Sequence, residues 1–152
     1  APIARQGAVP EHAGEPPRAL DPGPVPGGGR QIAEGVLGEA FIGTLLEGEA
    51  EEAAAGWGGD AYRTWDVGGK TLLTWRSVWD SEKDAREFRE ALSATLVSRG
   101  QARPPRHGFR IVFAAPWTVA WRTDADGAIT LLSSDDERVL TDALRARGTP
   151  DP

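Results

Sequence analysis

The chain has 152 residues, a net charge of -6 and a pI near 4.9, enough for one domain of ordinary size. That acidic balance excludes the basic surface needed to bind nucleic acid or to dock on anionic lipid. The absence of cysteine excludes disulfides, thiolate metal sites and cysteine nucleophiles.

Thirteen of the first thirty residues are proline or glycine, and large apolar side chains are scarce there. Such a stretch cannot bury enough surface to offset its own ordering entropy. Residues 1–29 therefore read as an extended arm or linker, with polyproline-like pieces at Pro16-Pro17 and Pro22-Gly23-Pro24-Val25-Pro26. Residues 30–147 read as a single folded domain, and 148–152 as a loose tail. The opening Ala1-Pro2-Ile3, in a chain without methionine, predicts trimming by signal peptidase, internal processing or design. The expected location is outside the cytoplasm: periplasmic, cell-surface or extracellular. No run approaches the roughly twenty apolar residues of a membrane span.

Gln31 to Glu47 reads as a helix, with Ile32, Val36, Ala40 and Leu45 at helical spacing beside Leu37, Phe41 and Leu46. Gly35, Gly38 and Gly43 weaken it by up to about 1 kcal/mol each relative to alanine, so tertiary contact must hold it. Glu49 to Ala55 reads as a second short helix stopped by Gly56. Ala61 to Val67 and Lys70 to Trp79 form the clearest hairpin, turning at Gly68-Gly69. Counted outward from that turn, Val67, Trp65 and Arg63 share a face with Lys70, Leu72, Thr74, Arg76 and Val78. Leu73, Trp75 and Trp79 share the other with Tyr62 and Thr64.

Asp80 or Ser81 caps the following helix, Ser81-x-x-Asp84 being close to a capping box. Ala85, Phe88, Leu92, Thr95 and Leu96 mark its buried face. Gln101 to Gly108 reads as a loop because of Pro104-Pro105. Phe109 to Ala115 and Thr118 to Thr123 read as strands hinged at Pro116, and Ala128 to Leu132 as a short third strand after the Asp124-Ala125-Asp126-Gly127 turn. Ser133 or Ser134 starts a last helix with Val139, Leu140, Ala143 and Leu144 inward, ended by Gly148. The order α-β-β-α-β-β-(β)-α predicts an α+β fold, an antiparallel sheet from two hairpins with helices packed on one face.

The chemistry-bearing residues are sparse. His12 and His107 have no serine beside them, and no H-E-x-x-H pair encodes a zinc site. Asp124 and Asp126 bracket a turn without the remaining oxygen ligands of a calcium loop. Asp135-Asp136-Glu137 and the Glu47 to Glu52 run sit where carboxylates favour helix starts. Arg99, Arg103, Arg106 and Arg110 form a small basic group on a solvated loop. Gly56 to Gly59 lacks the spacing of a phosphate loop. Neither a catalytic constellation nor a metal or cofactor site is therefore expected.

The six tryptophans remain, four of them between Trp57 and Trp79. With bulk on both faces of the hairpin, some form the core and one or two are expected to offer an aromatic surface to a protein partner. Arg63 and Arg76 are candidates to stack on these rings.

The segments Leu37-Gly38-Glu39, Gly56 to Asp60, Trp75-Arg76-Ser77-Val78-Trp79-Asp80-Ser81 and Asp84-Ala85-Arg86-Glu87-Phe88 resemble the C-terminal region of a poorly characterised family of exported or surface proteins. Longer members of that family carry a metallopeptidase-like segment upstream. This sequence contains no such segment or zinc ligands, so the resemblance carries over no functional residue.

The leading expectation is a non-enzymatic exported accessory or scaffolding subunit. It would bind a protein partner through Pro16, Pro17, Pro22, Pro24, Val25 and Pro26 of the arm and through Trp57, Trp65, Trp75 and Trp117. The alternative is a small-ligand-binding domain with a Trp-lined pocket reached by Arg63 or Arg76.

Overall fold

The computed structural model describes residues 20–23, 27–46 and 53–148. The fold is α+β: among the described residues seven strands form one antiparallel sheet, accompanied by three helices of eight residues or more. In chain order these are β1 (Arg30–Gly35), α1 (Gly38–Leu45), β2 (Trp57–Val67), β3 (Lys70–Trp79), α2 (Glu82–Arg99), β4 (Gln101–Arg106), β5 (Phe109–Ala114), β6 (Trp117–Thr123), β7 (Ile129–Ser134) and α3 (Glu137–Arg147). The sheet order is β1-β2-β3-β7-β6-β5-β4. The expected order missed two strands, β1 and β4, and both lie at the sheet's edges.

The β2–β3 hairpin turns at Gly68 and Gly69, both at positive φ, in the anticipated register: Val67 opposes Lys70, Trp65 opposes Leu72 and Tyr62 opposes Trp75. The short strand after Asp124 is central rather than peripheral. As β7 it pairs with β3 on one side and β6 on the other, joining the two hairpin systems. It runs on through Ser134, so α3 starts later than expected, with Asp136 as its cap.

Alternation along the strands sends side chains to two cores. Trp75, Trp121, Ile129, Leu131 and Val112 pack with Ala85, Phe88, Leu92 and Leu96 of α2, and with Ile42, Leu46, Ala53 and Ala54. Leu72, Trp65, Phe109, Ile111, Ala120 and Leu132 pack with Leu140, Ala143 and Leu144 of α3. Neighbouring residues such as Leu131 and Leu132, or Ala120 and Trp121, belong to different cores. Helices therefore cover both faces of the sheet, not one. Central strands bulky on both sides need cover on both sides, and β7 is buried along its whole length.

The expected helix over 31–47 is instead an edge strand followed by α1. Asp60 of β2 decides this. Its buried carboxylate accepts from the backbone N–H groups of Leu37 (2.7 Å) and Gly38 (2.8 Å), which fixes where α1 begins. The proline-bearing 101–108 stretch is likewise an edge strand. Pro104 and Pro105 fall where its pairing with β5 breaks between Arg103 and Arg106, so neither removes a ladder bond. Glu49 to Glu52 of the expected second helix lie outside the described residues.

Candidate functional site

A polar assembly lies on the α3 face, beside the C-terminal end of that helix. Arg76 of β3 and Arg122 of β6 are both cross-strand neighbours of Thr130 on β7, so they share a face. Between them stands Asp124, from the turn leading into β7. Arg76 reaches Asp124 at 3.2 Å and Asp126 at 2.8 Å, and Arg122 reaches Asp124 at 3.0 Å. The Thr130 hydroxyl also donates to Asp124. Arg122 further donates to the carbonyls of His107 (2.9 Å) and Gly148 (2.6 Å) and lies over the Phe109 ring. A guanidinium against the last carbonyls of a helix is favoured by the helix dipole.

Two further arginines extend this assembly to the chain segment before β1. Arg63 of β2 donates to Asp21 (3.1 Å) and to the Gly23 carbonyl (3.4 Å), and pairs with Glu34 at 3.4 Å. Arg147, in the last turn of α3, donates to the Pro22 carbonyl. Burial holds the Arg147 guanidinium below its ordinary pKa, with Asp124 opposing the shift. Arg147 makes no ion pair with a carboxylate among the described residues. Three guanidiniums, those of Arg63, Arg76 and Arg122, thus meet the carboxylates of Asp21, Glu34, Asp124 and Asp126, while Arg147 meets the Pro22 carbonyl.

The residues anticipated for partner binding do not form one surface. Trp75 is 1% exposed and Trp65 9%, in cores on opposite sides of the sheet. Trp65 donates to the Thr74 hydroxyl at 3.2 Å, while Trp75 Nε1 is buried without a partner. Trp57 is half-buried and donates to Asp60 at 2.9 Å. Trp117 is exposed, at the start of β6. Large rings on central strands are drawn into the cores because that is where most apolar area can be removed from water. Pro22 is buried against its own domain. Pro16, Pro17, Pro24, Val25 and Pro26 lie outside the described residues.

Arg63 and Arg76 make ion pairs rather than ring contacts. The rings are covered instead by Arg103 over Phe113, Arg110 over Trp121 and Arg122 over Phe109. Arg103 also pairs with Glu137 at 3.4 Å, and the arginine group of 99–110 is spread over the end of α2 and the strands β4 and β5. A hollow of about 380 Å³ opens between the β2–β3 turn and α3, but Gly27, Val67, Leu72, Val139, Asp142, Arg145 and Ala146 line it, without a tryptophan.

The sequence marked Arg63, Arg76, Asp124 and Asp126 for other reasons and passed over Arg122 and Arg147. Strand alternation could have placed Arg122 with Arg76, had β7 been read as the strand between them.

Among the described residues no cluster of His, Asp or Glu is arranged to hold a metal ion, and no helix is long and apolar enough to cross a membrane. The two sheet edges differ sharply. On β4 every residue is exposed, and Pro104-Pro105 and the arginines Arg103 and Arg106 discourage pairing. The β1 edge has no proline. From β1, the connection after it and α1, Ile32 (55% exposed), Val36 (62%) and Phe41 (39%) face solvent. A bulge between Gln31 and Ala33 lifts Ile32 out of the ladder with β2.

No curated protein and no solved structure matches this chain. A family model described as a domain of unknown function (DUF8575) matches residues 25–147, spanning every strand and helix of the fold, and the chain belongs to that family.

Proposed function

We propose that the protein is a non-enzymatic accessory domain that docks a protein partner on its β1–α1 margin. The observation that carries this is the exposure of three large apolar side chains within ten residues: Ile32 on the edge strand β1, Val36 in the connection that follows and Phe41 on α1. Isolated exposed apolar residues are ordinary, and Val97 and Trp117 are such cases. Three in one short stretch, beside unpaired strand backbone, are the composition of an interface. The opposite edge is guarded by proline and arginine, so sequence chemistry treats the two edges differently. A binding role also agrees with the use made of the buried acidic groups: Asp60 holds a helix start, and Asp124 holds two arginines and a threonine.

The test is site-specific photo-crosslinking in cells that make the protein. A benzophenone amino acid at position 32 should yield one discrete adduct with another polypeptide. The same probe at position 101, on β4, should yield none, and Val36→Lys should abolish the adduct at 32. Equal crosslinking from both edges, or none from position 32, would overturn the proposal.

A further inference from the structure

Arg63 and Arg147 come from opposite ends of the fold, yet they grip the same four-residue turn. That turn is Leu20-Asp21-Pro22-Gly23, and the two arginines address three of its oxygens. The Asp21 carboxylate and the Gly23 carbonyl go to Arg63, and the Pro22 carbonyl goes to Arg147. The turn is self-organised, because Asp21 also accepts from its own Gly23 N–H at 2.8 Å. Gly23 is specified as well. Its φ is +87°, and a Cβ there would come within 2.7 Å of the Arg147 guanidinium.

We propose that Arg63 and Arg147 form a peptide-binding notch specific for an acidic Asp-Pro-Gly turn, and that the chain's own residues 20–23 occupy it as a displaceable latch. Both ends of the contact support displacement. Asp21 is 65% exposed at its side chain, so its bond to Arg63 is screened by water and weak. Among the described residues Arg147 holds the turn through the Pro22 carbonyl and no ion pair, so displacing the latch breaks no charge pair there. Arg76 and Arg122, by contrast, are committed to Asp124 and Asp126 and stay with the fold. The ligand is a turn carrying a carboxylate, with backbone carbonyls one and two residues later, rather than a free oxyanion, since two of the three contacts are to peptide oxygens. This notch is a different surface from the β1–α1 margin, and its existence does not depend on the docking reading above.

The experiment uses the full chain and a fluorescein-labelled peptide, Ala-Leu-Asp-Pro-Gly amide, followed by polarisation. A tethered segment competes at an effective concentration on the order of millimolar, so the wild type should bind the free peptide weakly. Asp21→Ala removes the carboxylate of the latch and should tighten binding by roughly two- to fivefold, the change expected for loss of a solvent-screened ion pair. Arg63→Gln in the Asp21→Ala background should abolish the gain, and the peptide with asparagine for aspartate should not show it. Each variant is first checked for an unchanged far-ultraviolet spectrum. Inorganic phosphate serves as the comparison ligand. If it competes as well as the peptide, the site is a general anion site and the turn-specific proposal is wrong. Equal affinity of wild type and Asp21→Ala, or no binding to either, likewise overturns it.

Discussion

Replacing Asp60 tests how one side chain in β2 decides the start of a helix more than twenty residues earlier. Its carboxylate is 1% exposed and accepts three hydrogen bonds: from Leu37 N at 2.7 Å, Gly38 N at 2.8 Å and Trp57 Nε1 at 2.9 Å. Alanine would leave three donors without an acceptor. The two backbone groups are only part-buried and regain some water, so each costs about 1 kcal/mol, and the indole a similar amount. The sum is about 3 kcal/mol, a large share of the roughly 5–15 kcal/mol that holds a domain of this kind together. Asparagine keeps the shape and one acceptor oxygen but turns an amide donor toward groups that donate, so about 2 kcal/mol is lost. Urea unfolding, followed by tryptophan fluorescence and far-ultraviolet circular dichroism, gives these differences. Hydrogen exchange adds a local reading, because the amides of 37 and 38 should lose protection in Asp60→Asn while those of β3 do not. An Asp60→Ala protein within about 1 kcal/mol of wild type would refute the reasoning, since α1 would then be anchored by packing alone.

Three further outcomes are expected. Arg122→Met keeps the stacking volume over Phe109 but takes one of two arginines from Asp124 and leaves the carbonyls of His107 and Gly148 without this donor; it should lower stability by about 3 kcal/mol, read as a melting temperature about 6–12 °C lower. Ser81→Ala removes the acceptor for the Asp84 N–H at the start of α2 and should cost about 1 kcal/mol by urea unfolding. The Asp136 carboxyl is held below its ordinary value of 3.8, first by the Val139 N–H at the start of α3. A depressed pKa means that its contribution is fully present above the unfolded value and is lost as pH falls through the folded one. Melting temperatures of wild type and Asp136→Asn should therefore differ at pH 7 and converge as pH falls below the ordinary carboxylate range; a gap that stays constant from pH 7 into acid would contradict the assignment.

Local signals carried most of the fold. Gly68-Gly69 set the β2–β3 register, Ser81 marked the start of α2, and the spacing of Ala85, Phe88, Leu92 and Leu96 marked its buried side. What was not legible depended on distant partners. Ile32 and Val36 lie at helical spacing, but β2 captures that stretch as a strand and the Asp60 carboxylate starts the helix later. Pro104-Pro105 argued for a loop, and only the edge position and the interrupted pairing of β4 admit them to a sheet. The two-sided covering followed from strand parity once β7 stood at the centre. Of the arginine assembly, Arg63 and Arg76 stood out beside tryptophans, whereas Arg147 looked like one more basic residue closing a helix.

The central place of β7 also shapes how the protein can be made. Leu73 and Ser133 are sixty residues apart in sequence and face each other across the sheet. Until β7 has left the ribosome, the β2–β3 hairpin and the β4–β6 meander each expose an unpaired inner edge. Neither core can close, because Leu131 belongs to one and Leu132 to the other. Synthesis must therefore pass residue 134 before the two halves of the sheet can join, and the nascent domain is most open to wrong pairing just before β7 emerges.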